Sequence, residues 1–73
     1  MPQPQTVIVR RDLADMASDG TDIEIAVKYA CRLLAWGTEY DDRASLVKGI
    51  VELREAHAAL GRLVDEIAGE IAS

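Results

Sequence analysis

Three kinds of side chain in this sequence are equipped for chemistry: the carboxylates Glu52, Glu55, Asp65, Glu66 and Glu70, the imidazole of His57 and the thiol of Cys31. Carboxylates one helical turn apart can share a divalent cation or divide acid and base roles between them. Glu52 and Glu55 have that spacing, whereas Glu66 and Glu70 are four apart with no acid at Gly69. An imidazole takes up or gives up a proton near neutrality, but no carboxylate lies on the face of His57 within one turn to make it a base. One histidine and one cysteine cannot complete a four-ligand zinc site. The residues therefore point to a chain that is not an enzyme, with no catalytic, cofactor or metal site. Its acids form a solvated face.

The elements that carry these residues must come from 73 amino acids, one small domain in which a single hydrophobic core leaves little net stability. Cys31 is the only cysteine, so no internal disulfide adds to that core, and a lone thiol suits a reducing compartment. Sharing the core with another copy is the remaining way to enlarge it. No apolar run approaches the roughly 20 residues that cross a bilayer, and "MPQPQ" lacks the basic and apolar regions of a signal peptide. A cytoplasmic protein with no membrane contact is expected. The net charge of -5 opposes a sequence-independent grip on nucleic acid. Only Arg10 and Arg11, adjacent near the start, offer a local basic contact.

Residues 1–20 read as an N-terminal arm: a proline-punctuated tail, a short strand over 6–10 in "TVIVRR", then two turns of helix that Ser18-Asp19-Gly20 breaks. Residues 21–73 read as a helical hairpin. Thr21 to Glu24 has the form of a capping box, which predicts a first helix over about 22–36. Ile23, Val27, Ala30 and Leu34 share its main apolar face, which Ile25, Ala26, Tyr29, Leu33 and Trp36 widen, and Cys31 at its edge reads as a small buried hydrophobe. Gly37 supplies a residue that can end a helix, and Asp41 and Asp42 suit the positive end of the next. That second helix is predicted over about 39–72.

Leu46, Ile50, Leu53, His57, Leu60, Val64, Ile67 and Ile71 follow spacings of four and three without a break, a heptad seam. His57 in that line reads as a seam histidine, which burial would keep neutral. A first helix of about fifteen residues covers only about half of the second, and exposed apolar stripes mark interfaces. The expected fold is therefore mainly all-α: a helical hairpin with a long second helix, joined to a second copy in a homodimeric bundle through the seam, behind a short extended arm. β-Branched residues at the a positions (Ile50, Val64, Ile71) with mostly leucine at d would suit a parallel pair, but a folded-back hairpin or bundle uses the same stripe, so parallel and antiparallel pairing both stay open. Trp36 and Tyr40 at the turn, with Asp41, Asp42, Arg10 and Arg11, are the candidate contacts to another macromolecule.

Three family resemblances attach to particular residues. "TVIVRR" followed by "GTDIEIAVKYA" is similar to the ribbon and second helix of ribbon-helix-helix DNA-binding regulators and antitoxins. The likeness implies a strand paired across a dimer with Arg10 and Arg11 on DNA, although only nine residues separate Arg10 from Gly20. Glu52 and Glu55 resemble the first E-x-x-E motif of all-α nucleotide pyrophosphohydrolases, which hold magnesium on facing helices; the second motif departs at Gly69. "VIVRRDLADM…GTDIEIAVKYA" looks like the opening of the archaeal and eukaryotic type of peptidyl-tRNA hydrolase, but Thr21, Ala26 and Tyr29 replace its lysine, glutamine and histidine. The reading favoured by the residues is a small acidic interaction protein, a regulator, adaptor or phage-type inhibitor, which binds itself and another protein. The DNA-binding regulator and a degenerate pyrophosphohydrolase are the alternatives.

Overall fold

In a computed structural model that describes residues 12–72, two helices fold back on each other: α1, Leu13–Glu39, and α2, Arg43–Ala72. Asp12 starts α1, its side chain accepting a hydrogen bond from the Asp15 backbone N–H at 2.9 Å, which satisfies one of the free donors of a helix start. The expected strand over 6–10, with Arg10 and Arg11, lies outside the described residues.

The first helix is longer at both ends than the sequence predicts. The break at Ser18-Asp19-Gly20 does not occur, and Thr21 caps nothing; its hydroxyl donates to the Ala17 carbonyl at 3.3 Å inside the helix. Glycine in a helix interior costs about 1 kcal/mol against alanine, and tertiary contact offsets that here. Met16 is 2% exposed, and a Cβ at Gly20 would lie 3.7 Å from Leu63. Gly37 is also misread as a stop. It is buried within α1 because the chain approaches closely there: a Cβ would sit 2.7 Å from Leu46 Cγ and 2.9 Å from the Asp42 carbonyl.

The turn comes three residues later than the glycine. The Tyr40 N–H donates to the Trp36 carbonyl at 2.9 Å and closes α1. Asp41 takes φ 51°, a left-handed conformation that aspartate tolerates better than most residues. Asp42 then starts α2 at 43, where the sequence suggested about 39: its carboxylate accepts from the Ala44 N–H at 3.1 Å and from the Ser45 hydroxyl at 2.8 Å.

The 27 residues of α1 nearly match the 30 of α2, so no half of α2 is left uncovered for want of a first helix. Glycine and leucine oppose each other along the pairing: Gly37 with Leu46, Gly49 with Leu34, Gly20 with Leu63. Three residues back on α1 correspond to three forward on α2, and fourteen to fourteen, which is an antiparallel hairpin in constant register. Its buried apolar centre is small, comprising Met16, Ala30, Ala56 and Leu63. No helix among the described residues is long and apolar enough to cross a membrane.

Candidate interaction surfaces

The contact that α2 makes with α1 is centred on Gly49, Ala56 and Leu63, spaced by sevens. The heptad line read from the sequence runs beside it. Leu46 and Ile67 are half-buried at the edge of the hairpin seam, whereas Ile50, Leu53, Leu60 and Val64 remain exposed and Ile71 is 73% exposed. The physical reason is the glycine and alanine. Helices approach most closely where side chains are small, so Gly49 and Ala56 turn toward α1 and the larger residues are displaced outward onto one flank.

That flank forms one wall of an apolar groove lined by Val27 of α1 and by Ile50, Leu53, Ala56, His57 and Leu60 of α2, with Arg54 at its rim. His57 lines the groove with these side chains and is exposed in the single chain, where the sequence reading expected burial in a shared seam. The groove is a wall of branched carbon chains with one imidazole and one guanidinium. It offers association, and no nucleophile with a base beside it.

The opposite flank is of another kind. Tyr29, Trp36 and Tyr40 follow helical spacing on the far side of α1 from Val27. Trp36 and Tyr40 are 54% and 57% exposed, with ring centroids 4.2 Å apart and planes tilted by 41°. Lys48 of α2 reaches over the Tyr29 ring, its Nζ 5.9 Å from the centroid, within cation–π range. Of the acids named beside these aromatics, Asp42 is engaged in starting α2 and Asp41 is exposed in the turn. Large aromatic side chains bury well in partner interfaces, and these are held out at the end of the hairpin.

Glu52, Glu55 and Glu66 lie on this polar side, whereas Asp65 is exposed beside the apolar stripe. Asp22, Glu52 and Glu55 line one shallow depression with Ala26 and Ala59, and Asp19, Asp22 and Glu66 line another with Arg62. No group of three or more histidine, cysteine or acidic residues among those described could hold a metal ion. Cys31 is exposed, against the expectation of burial, because it falls on the outer border of the Val27 flank. The helix start that the ribbon-helix-helix likeness placed at Gly20 falls inside uninterrupted α1. Two features escaped the sequence reading: Gly49 and Ala56 as the line of closest approach, signalled by small residues seven apart, and the Tyr29–Lys48 contact, which no local pattern marks. No protein-family model matches the chain, and no curated protein or solved structure does.

Proposed function

We propose that this protein acts by binding and not by catalysis: it pairs with a second copy through the apolar flank of α2 and presents the aromatic turn to another protein. The observation that carries this reading is the exposed apolar flank, in which His57 is the one polar side chain of the stripe. Ile50, Leu53, Leu60, Val64 and Ile71 are all at least 36% exposed, on a hairpin in which four apolar residues are buried among those described. Fully burying one such side chain is worth roughly 1.5–3 kcal/mol, so covering five half-exposed ones on each of two chains returns on the order of 10 kcal/mol. That is the scale of the cost of association, roughly 4–15 kcal/mol. A second copy also turns a single layer of two helices into the two-layer arrangement that stable domains adopt.

The turn suits a heterologous partner because it stays outside that contact. Trp36 and Tyr40 sit on the other side of α1 from the groove, with the exposed acids Glu39 and Asp41 flanking Tyr40 in sequence. A partner presenting arginine or lysine next to apolar side chains would meet both ring faces and negative charge. The test is sedimentation of the protein at micromolar concentration, together with affinity capture by the parent and by Trp36→Ala/Tyr40→Ala. A dimer, with one protein retained by the parent and lost from the equally helical variant, supports the reading. A monomer, or capture indifferent to the two aromatics, overturns the corresponding half of it.

A further inference from the structure

We propose that the two copies pair α2 against α2 in antiparallel fashion, about a two-fold axis between His57 and Leu60, with Arg54 of each copy reaching Asp65 of the other. The inference rests on the preceding reading that the flank is covered by a second copy, and it adds the direction of pairing and the charge contact that sets it.

The stripe on α2 has its midpoint between His57 and Leu60. Reversed onto itself, it pairs Leu53 with Val64 and His57 with Leu60, so each imidazole meets a leucine. Run parallel, the same stripe sets His57 against His57, stacking two polar rings at one level of an otherwise apolar seam. The charge along α2 separates in the same sense. Residues 43–57 carry Arg43, Lys48 and Arg54 against Glu52 and Glu55, whereas residues 58–72 carry Arg62 against Asp65, Glu66 and Glu70. Antiparallel pairing lays the basic half of each helix along the acidic half of the other.

Arg54 and Asp65 are the pair placed to use this. Eleven residues apart on α2, they stand on the same outer side of the stripe, both exposed, and neither forms an ion pair with the described residues of its own chain. Between them is Gly61, where a Cβ would meet nothing within 4 Å, so the hairpin itself gives no reason for a glycine. In the antiparallel pair it leaves the partner's Arg54 an unobstructed path to Asp65.

Disulfide trapping decides the direction. In a Cys31→Ala background, Leu53→Cys and Val64→Cys chains are held separately and mixed in a glutathione redox buffer, with circular dichroism confirming that each remains helical. The expected product is the mixed 53–64 disulfide, with little 53–53 or 64–64. Homodisulfides in preference to the mixed one, or no disulfide in a sample that sediments as a dimer, overturn the antiparallel arrangement and leave dimerisation standing. A monomeric parent protein removes both. A second measurement leaves the apolar residues intact: Arg54→Asp and Asp65→Arg should each weaken dimerisation by about tenfold, and the double variant should restore most of it. Losses that merely add in the double variant would overturn the Arg54–Asp65 contact.

Discussion

At the scale of single residues, glycines in the same helix have opposite meanings. Gly49→Ala would place a methyl group 2.9 Å from the Leu34 side chain and 3.2 Å from the Ala30 carbonyl. The leucine can turn aside but the backbone of α1 cannot, so a loss of about 1–3 kcal/mol is expected in urea unfolding. Gly61→Ala meets no such neighbour and should gain about 0.5–1 kcal/mol from helix propensity alone. His57 presents a different balance. It lines the apolar groove, and in the antiparallel pair its ring would meet Leu60 of the other copy, giving up hydrogen bonds to water for contact with a hydrocarbon side chain. His57→Leu should therefore bind more tightly when the dissociation constant is followed by sedimentation.

At the scale of elements, both helices and the periodicity of α2 are legible from composition and spacing, and the errors cluster at the ends. Thr21 with Glu24 has the form of a cap, and Gly37 the form of a stop. A cap or a glycine reads the same in sequence whether it ends a helix or lies within one; the tertiary neighbour decides. Gly20 meets Leu63 and Gly37 meets Leu46, contacts from far along the chain that hold α1 continuous. The line of closest approach between the two helices escapes the sequence reading for a related reason. The eye follows large apolar residues, whereas the closest contact runs along Gly49 and Ala56, where the absence of side chain permits approach. The true start of α2 has a local signature in Asp42, Ala44 and Ser45. Asp42→Ala strips both hydrogen bonds from that start, and thermal melts should show a loss of about 1 kcal/mol.

For the whole molecule, the hairpin divides its side chains between two flanks: branched apolar chains on the groove side, aromatics and most of the carboxylates on the other. Antiparallel pairing would send the two turns to opposite ends of the dimer, so one dimer would offer two Trp36–Tyr40 sites too far apart for a single small partner to span. Everything in that arrangement depends on the flank being covered, and Val64 tests it directly. The side chain is 54% exposed in the single hairpin, so an aspartate there costs the isolated chain little. In the dimer the same carboxylate would be enclosed against Leu53 of the second copy, where the neighbouring Arg54 is already committed to Asp65, a burial that costs several kcal/mol unless the assembly parts. Val64→Asp should therefore abolish the dimer. It should also remove the dependence of the melting temperature on protein concentration that mass action imposes on the parent. Glu55→Asp, an equally small change on the polar side, should alter neither. A Val64→Asp protein that sediments as a dimer, with a melting temperature still rising with concentration, would show that this flank faces solvent and that association, where it occurs, uses another surface.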